Sequence, residues 1–352
     1  MLKINASGSS IHGILIMLEV YKEYQHLYNR TKIDNNFQIA LDGIPCYGVY
    51  EIDKIFQDPS KIIFIDLTSE GIHCISYLKK LDNTKKYVIF SNGWWDESYY
   101  DIGIDYTLIP WNVFLYDYVQ QVTLAQSINY FVNTPYQIDS PKTNLFCSLN
   151  GQNKSERTKF VNLISDFDFP YILTYNGTEI KGNSKSFDIE YDFNQYNVHR
   201  MIGKSCEYHI SRSIPTIIYN SSRFNLIIET NINLMHEFHL TEKTIKCLIT
   251  GIPFVLMAGP GYLQKLKSLG FKTFDNLWSE EYDQIEDFDD RMAEIVKLIN
   301  LLNDFDWDNH RDSLIEIAQY NRLHLAYFNN TLMKRQLDKL DNLLLHLSDQ
   351  GY

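Results

Sequence analysis

The stretch LTEKTIKCLITGIPFVL, residues 240–256, predicts a helix, a glycine turn and a buried strand in direct succession. Thr241 is a preferred N-cap residue, and the positions after it have the apolar spacing of a helix up to residue 250. Gly251-Ile-Pro253 separates this helix from a short apolar run that is typical of a buried strand. A helix that leads into such a strand favours an α/β fold with a parallel sheet.

The same alternation extends in both directions along the chain. In the first half, the pattern predicts strands at residues 2–5, 37–41, 61–67, 87–90 and 106–109, and helices at residues 11–28, 72–81 and 113–132. In the second half, it predicts strands at residues 145–149, 171–175, 216–219, 225–229, 254–257 and 272–274, and helices at residues 155–166, 241–250, 261–269, 289–303 and 312–347. This alternation indicates two α/β halves with parallel sheets.

A linker is predicted at residues 133–143, NTPYQIDSPKT, because two prolines and polar residues interrupt the periodicity there. We therefore predict three parts, namely an N-terminal α/β domain at 1–138, a second α/β domain at 144–310 and C-terminal helices at 311–352. The expected fold class is α/β, with two Rossmann-like halves, a cleft between them and a helical tail. A cleft of this kind is a common place for a nucleotide-bearing ligand. The final helix could cross back to the first half or form the seam of a homodimer.

The composition excludes several classes of protein. With 45% hydrophobic residues in 352, the chain is not disordered as a whole. It has 32 Lys and Arg against 44 Asp and Glu, and the net charge of −12 argues against a protein whose main task is to bind nucleic acid. Five widely spaced cysteines without a C-x-x-C pair indicate reduced thiols and a cytoplasmic protein. The longest apolar stretch near the start, residues 14–18, is too short to span a membrane.

The first turn of the helix that starts after Thr241 carries Glu242 and Lys243. A helix N-terminus presents free N–H groups and a partial positive charge, so a phosphate could lie against this helix end and Lys243 together. Glu242 could accept hydrogen bonds from ribose hydroxyls. The alternative interpretation is an ordinary capped helix, with Glu242 complementing the helix dipole and Lys243 in solvent.

A second candidate phosphate site follows the strand predicted at residues 145–149. Asn150 and Gly151 begin a turn, and the helix after it carries Lys154 and Arg157 in its first turns. A turn that leads directly into a helix N-terminus, with two cations beside it, can bind a pyrophosphate. The alternative is an ordinary connection between a strand and a helix, with both cations in solvent.

Three segments carry a resemblance to a known class of enzymes. The box Thr241-Glu-Lys243, GIPFV at residues 251–255 and GYLQKLKSLGFKTF at residues 261–274 resemble the donor-binding half of GT-B-fold glycosyltransferases. The box is similar to that of the alpha-1,3-fucosyltransferase family and of uncharacterised viral and bacterial glycosyltransferase-like proteins. The resemblance covers about residues 144–300, and it implies that Glu242 holds the donor ribose and Lys243 the diphosphate.

Candidate catalytic residues lie at the ends of predicted strands. His12 is in the first loop between a strand and a helix, at the carboxyl edge of the sheet, and an imidazole suits the role of general base for an acceptor hydroxyl. Asp66 and Glu70, near the end of the strand KIIFIDL, are alternative bases. Glu229 at the end of another strand could contact the donor sugar, and Arg223 could neutralise the leaving diphosphate. Each of these residues could equally have a structural role.

Metal chemistry has weak support in the sequence. The three Asp-Phe-Asp triplets, at residues 166–168, 287–289 and 304–306, resemble the D-x-D of GT-A enzymes but fall near predicted helix ends, where acidic residues are common. We therefore predict no metal and no cofactor.

The predicted function is metal-independent transfer of a sugar from a nucleotide-sugar donor to a hydroxyl acceptor, for example on a glycan. The alternatives are a phage-type glycosyltransferase that acts on modified DNA bases, a catalytically inactive nucleotide- or glycan-binding module, and a metal-dependent GT-A-like enzyme.

Overall fold

The structure is a computed structural model. It describes residues 46–48, 52–58, 60–67, 78–91, 94–95, 102–110, 136–151, 154–175, 179–180, 216–230, 232 and 237–349. The chain divides into two compact units. Unit 1 contains residues 1–116, 236–240 and 328–352, and unit 2 contains residues 117–235 and 241–327.

Unit 1 contains a four-stranded parallel sheet in the order β1-β2-β3-β5. Its strands are β1 (Cys46–Gly48), β2 (Ile62–Leu67), β3 (Lys86–Ser91) and β5 (Asp105–Pro110). The short helix α1 (Ile52–Ile55) lies between the first two strands in sequence. A second, two-stranded sheet pairs β4 (Trp94–Trp95) with β10 (Glu237–Phe238) in antiparallel orientation.

The central strands of unit 1 form because their residues are apolar on both faces. In β3, every residue from Tyr87 to Ser91 is buried, as expected for an inner strand of a parallel sheet. Ile63 and Ile65 of β2 pack with Tyr87 and Ile89 in one hydrophobic cluster. This cluster is the core of the described part of unit 1.

Unit 2 contains a five-stranded sheet in the order β11-β9-β6-β7-β8. Its strands are β6 (Asn144–Leu149), β7 (Ile172–Tyr175), β8 (Glu179–Ile180), β9 (Ser222–Ile228) and β11 (Phe254–Met257). All neighbours are parallel except β8, which runs antiparallel to β7. The core strand β6 is buried from Asn144 to Ser148.

Helices alternate with the strands of unit 2. They are α2 (Ser155–Ile164), α3 (Thr216–Asn220), α4 (Glu242–Thr250), α5 (Tyr262–Ser268), α6 (Phe288–Asn303) and the long helix α7 (Arg311–Asp349), with a 3₁₀ turn at Glu281–Gln284. Residues 311–327 of α7 belong to unit 2, and the rest of this helix belongs to unit 1. No helix in the described ranges is long and apolar enough to cross a membrane.

The direction of winding reverses inside unit 2. From β6 the chain passes through α2 to β7 on one side, whereas from β9 it passes through α4 to β11 on the other side. Because β6 and β9 are neighbours, the point of reversal lies between them. In open parallel sheets, ligands bind outside the carboxyl ends of the strands at such a switch point.

Most strand predictions within the described ranges are confirmed to within a few residues. The parallel α/β character of both units is confirmed as well. The helix after Thr241 has the predicted bounds, with Thr241 as N-cap and Gly251 at its end in the left-handed conformation, φ 80°. The sequence analysis did not predict the very short strands β1, β4, β8 and β10.

Two strand predictions in the second half are wrong. Residues 216–219 form helix α3, because an apolar run of four residues is compatible with either type of element. Residues 272–274 form no strand, because side chains, and not a neighbouring strand, form hydrogen bonds with their backbone groups. Asn321 binds the N–H and the carbonyl of Lys272, both at 2.9 Å, and Glu280 accepts from the N–H of Phe274 at 2.9 Å.

Several predictions lie outside the described residues. They are the strands at 2–5 and 37–41, the helices at 11–28 and 113–132, and most of the helix at 72–81.

The predicted domain boundaries at 138 and 310 stay predictions. In the structure, residues 236–240 and 328–352 group with unit 1. The second half of the predicted linker packs within unit 2, where the N–H of Tyr136 donates to the Thr250 carbonyl at 2.9 Å and the Tyr136 hydroxyl to the Ser222 carbonyl at 3.0 Å.

Candidate functional site

The candidate site lies at the carboxyl ends of β6 and β9, at the switch point of unit 2. The loop after β6 contributes Asn150, Gly151 and Lys154, and the loop after β9 contributes Glu229 and Thr230. We call this region the switch-point site, and define it by these residues together with Arg157 and residues 241–246. The predicted residues come from three segments, at 150–157, 229 and 241–243, and the parallel sheet brings them together.

Asn150 anchors the loop that follows β6. Its side-chain amide donates to the Ser148 hydroxyl and to the Thr174 carbonyl, both at 3.1 Å, and its backbone N–H donates to the Thr174 hydroxyl at 3.0 Å. Its buried Oδ1 has no hydrogen-bond partner within the described ranges. Gly151 is exposed, and a Cβ atom there would meet nothing within 4 Å in the described part of the chain. The backbone at Gly151 is therefore open to a ligand.

Lys154 and Arg157 extend from the start of α2 towards the loop after β9. The Lys154 ammonium lies 3.5 Å from the Thr230 carbonyl, and Nη2 of Arg157 donates to the Glu229 carbonyl at 3.2 Å. Arg157 is only 3% exposed, and burial lowers the pKa of its guanidinium, opposed by the charges of Glu229 and Glu242. An arginine keeps its charge in such surroundings, so Arg157 places a positive charge beneath the site.

Glu229 holds the start of α4. Its carboxylate accepts the Thr241 hydroxyl at 2.7 and 2.8 Å, the Thr244 hydroxyl at 2.8 Å and the Thr230 N–H at 3.3 Å. The residue is 3% exposed. Both oxygens are thus engaged by the protein, which is the geometry of a positioning residue, and the contact of Glu229 to the donor sugar stays a prediction.

Lys243 and Glu242 lie side by side in the first turn of α4. The Lys243 ammonium is 3.4 Å from Glu242 Oε1 and 3.8 Å from Glu229 Oε2, and it donates to the Thr230 hydroxyl at 3.2 Å. The side chains of Lys243 and Glu242 are each 17% exposed. Lys243 is therefore partly shielded but still reaches the surface of the switch-point site.

The ionisation of Glu242 depends on its cationic neighbours. Burial alone would raise the pKa of this carboxyl, but Lys243 and Lys246 hold it below its ordinary value. Burial lowers the pKa of Lys246 to about 8, opposed by Glu242. Glu242 is thus a carboxylate near neutral pH, available as a hydrogen-bond acceptor.

The switch-point site carries an excess of positive charge. Four cations, Lys154, Arg157, Lys243 and Lys246, lie with three carboxylates, namely Glu229, Glu242 and Glu156 beside Lys154, which leaves a formal charge of +1. The chain as a whole has a charge of −12. A concentrated positive charge in an acidic protein favours the binding of an anion.

The helix starts at this edge of the sheet differ in how their N–H groups are satisfied. In α4, the N-cap Thr241 accepts from the N–H of Lys243 at 3.2 Å. In α5, Asp283 accepts from the N–H groups of Leu263 and Gln264, at 2.8 and 3.1 Å. In α2, the N-cap residue Lys154 provides no side-chain cap. The start of α2 therefore lacks the N-cap bond that α4 has, while the carboxylate of Glu156 lies in its first turn and accepts the Ser155 hydroxyl at 2.6 Å.

Arg223 does not join the switch-point site. It lies near the amino end of β9, where its carbonyl accepts the Tyr136 hydroxyl at 2.9 Å. Six residue steps along the strand separate it from Glu229, which is about 20 Å at roughly 3.3 Å per residue. The extended strand places Arg223 and Glu229 at opposite edges of the sheet.

The candidate bases belong to unit 1. Asp66 is the residue before the last in β2, opposite Gly48 of β1 and Phe90 of β3. His12 and Glu70 lie outside the described residues.

The Asp-Phe-Asp triplets have structural contacts where the structure describes them. Asp287 caps α6 by accepting from the N–H groups of Asp289 and Asp290, both at 2.9 Å. Within the described ranges, no group of three or more His, Cys, Asp or Glu could hold a metal ion.

Sequence analysis missed three residues of the site, Thr230, Thr244 and Lys246. Lys246 follows Glu242 by four positions, and Thr244 follows Thr241 by three, so the helical spacing places each pair on one face. That spacing was the available signal for both. Thr230 had no such signal, because its hydroxyl meets Lys243 only through the tertiary fold.

The comparisons with known proteins do not extend these observations. No model of a known protein family matches the chain, and a search of curated proteins finds no match. The resemblance to GT-B-fold glycosyltransferases therefore rests on the residues quoted above.

Proposed function

We propose that the chain is a glycosyltransferase that binds a nucleotide-sugar donor at the switch-point site. One observation carries the proposal: Lys154, Arg157 and Lys243, from two helix starts, converge on the loop at Glu229 and Thr230. Nucleotides with phosphate groups bind at such switch points in α/β proteins, with a phosphate at a helix N-terminus.

In this proposal, the diphosphate lies at the uncapped start of α2, within reach of Lys154 and Lys243. The buried Arg157 contributes its charge without direct contact. When the bond to the sugar breaks, negative charge develops on the departing diphosphate, and fixed cations stabilise it without reorganisation. Glu242, ionised and partly exposed, accepts the ribose hydroxyls.

The acceptor hydroxyl must lose a proton as it attacks the anomeric carbon. We propose His12 or Asp66 as the base, without a metal ion. Glu229 supports this chemistry indirectly, because it fixes the helix that carries Glu242 and Lys243. A glycan or another hydroxyl compound is the proposed acceptor.

The first experiment is a thermal-shift screen of the full chain against UDP, GDP, CMP, ADP and dTDP, each with and without EDTA. A ligand at a hundredfold excess over its Kd stabilises the folded state by about 2.7 kcal/mol. We expect one of the five nucleotides to raise the Tm of the protein more than the others do, and this increase to persist in EDTA. No shift with any nucleotide would contradict the proposal.

A turnover assay follows the screen. Its donors are the sugar derivatives of the nucleotide that binds. Release of the nucleoside diphosphate that depends on an acceptor supports the transferase. Binding without turnover for any acceptor would indicate the inactive binding module instead. Transfer only to a duplex with hydroxymethylated bases would indicate the phage-type alternative, and loss of activity in EDTA would indicate a metal-dependent enzyme.

A further inference from the structure

A cavity of about 750 Å³ opens in unit 2, away from the switch-point site. Residues 136–141, Gly251, Pro253 and the first turns of α7 line it. Pro253 immediately precedes β11, so the cavity lies at the amino ends of the strands, whereas the switch-point site lies at their carboxyl ends. The six residues of β6 span about 20 Å between these two edges. We call this cavity the amino-edge cavity.

The walls of the amino-edge cavity are largely apolar. Helix α7 contributes Leu314, Ile315, Ala318 and Leu323, and the linker contributes Pro141. Leu323 is 77% exposed and therefore lies at the open rim of the cavity. A volume of this size and an apolar lining are typical of sites for small organic molecules.

The charged groups of the cavity do not balance. Arg311 forms a bidentate ion pair with Asp139, with both N–O distances at 2.7 Å, so this pair is neutral. Arg322 donates from Nη2 to the Thr250 carbonyl at 3.1 Å, and within the described ranges no carboxylate pairs with it. The three charged residues that line the cavity therefore sum to +1, and Arg311 also pairs with Asp312, outside the lining, at 3.3 Å.

Arg322 binds the last carbonyl of α4 and still has N–H groups that this bond does not use. Its bond to Thr250 uses one of five N–H groups, and its Nε is buried without a hydrogen-bond partner in the described part of the chain. Burial lowers the pKa of Arg322 to about 10, so the group is still cationic at neutral pH. A guanidinium that is half-buried without a counter-charge is costly, and an anionic ligand would supply the missing charge.

We propose that the amino-edge cavity binds a small organic anion with an apolar body. The carboxylate, sulfonate or phosphate group lies beside Arg322, and the apolar body packs against α7 between Leu314 and Leu323. This site is independent of the proposed glycosyl transfer, because its residues lie at the opposite edge of the sheet.

Two naphthalene dyes of similar shape test the proposal on the full chain. The anionic probe is 1-anilinonaphthalene-8-sulfonate, and the neutral probe is N-phenyl-1-naphthylamine. We expect the anionic dye to bind with one site per chain and at least about tenfold more tightly than the neutral dye. Equal affinity of the two dyes, or binding of the anionic dye that does not saturate, would overturn the proposal.

Three variants test whether the dye binds in the amino-edge cavity. Arg322→Gln should weaken the anionic dye about tenfold and leave the neutral dye unchanged. Arg335→Gln, an exposed arginine further along the same helix, is the matched control and should change neither. Gln319→Trp places a large side chain at the exposed rim of the cavity and should abolish both.

Folding of each variant is checked by circular dichroism and Tm. If Arg322→Gln does not fold, the affinities of the two dyes for wild type and for Gln319→Trp test the proposal. Unchanged binding to folded Gln319→Trp would overturn the proposal. So would displacement of the dye by the nucleotide that the thermal-shift screen identifies, because the dye would then report the switch-point site.

Discussion

Both carboxylate oxygens of Glu229 lie within hydrogen-bond distance of the Thr241 hydroxyl, at 2.7 and 2.8 Å. This contact ties the carboxyl end of β9 to the start of α4. The same carboxylate accepts the Thr244 hydroxyl one turn further on. The orientation of the helix that carries Glu242 and Lys243 therefore depends on one buried carboxylate.

Replacing Glu229 should destabilise the protein. We expect Glu229→Ala to lower the free energy of unfolding by about 2–3 kcal/mol, because it leaves the Thr241 and Thr244 hydroxyls without their charged acceptor. Urea unfolding measures this change. Glu281→Ala, at an exposed position, is the control and should have an effect within about 0.5 kcal/mol. Similar stability of the two variants would show that the carboxylate does not hold the helix.

Removing a cation of the switch-point site should weaken nucleotide binding. Lys154→Ala and Lys243→Ala should each raise the Kd for the nucleotide that binds about tenfold, through loss of a charge-assisted contact to phosphate. Isothermal titration calorimetry measures the Kd. Lys159→Ala removes a charge from α2, where the ammonium forms an exposed pair with Asp289 and lies over the Phe288 ring, and should leave the Kd unchanged. A tenfold effect of Lys159→Ala would point to a general charge effect instead of a site.

A methyl group at Gly251 should be poorly tolerated. Its φ of 80° is in the left-handed region, and a Cβ atom there would lie 2.7 Å from Ala318 Cβ and from Nη2 of Arg322. We expect Gly251→Ala to destabilise the protein by about 1–3 kcal/mol in urea unfolding. Gly151→Ala is the control, because a Cβ atom there meets nothing within 4 Å in the described part of the chain, and its effect should stay below about 1 kcal/mol.

Lys246 should make stability depend on pH in the alkaline range. Its pKa is about 8 in the folded protein, below the ordinary 10.5. Between these values the unfolded chain binds more protons than the folded chain, so this group makes the protein more stable as pH rises. Lys246→Met should remove that contribution.

The measurement is urea unfolding of wild type and Lys246→Met from pH 7 to pH 10. Other buried groups also make stability depend on pH, such as the thiol of Cys247, whose pKa burial raises to about 12, but they are present in both proteins. We expect the stability of wild type relative to Lys246→Met to rise with pH. A constant difference across the range would show that Lys246 is charged in the folded state throughout.

The switch-point site illustrates what could be predicted from the sequence. Strand ends, helix starts and nearby cations are local features, so Asn150, Lys154, Arg157, Glu242 and Lys243 could be selected from their neighbours along the chain. The role of Glu229 could not be predicted, because its partners Thr241 and Thr244 follow 12 and 15 positions later and meet it only through the fold. Sequence proximity also does not reveal that an extended strand places Arg223 about 20 Å from Glu229, at the amino end of β9.

The sequence by itself determined the α/β class, most of the described strands and the caps of α4, because these depend on periodicity and on residues a few positions apart. Tertiary structure alone decided the order of the strands, and with it the switch point between β6 and β9. It also decided that residues 272–274 form no strand, since Asn321 binds the backbone of Lys272 from 49 positions away. Such contacts depend on which surfaces the packed elements present to one another. Secondary-structure propensity depends on neighbours in the sequence, so it cannot predict them.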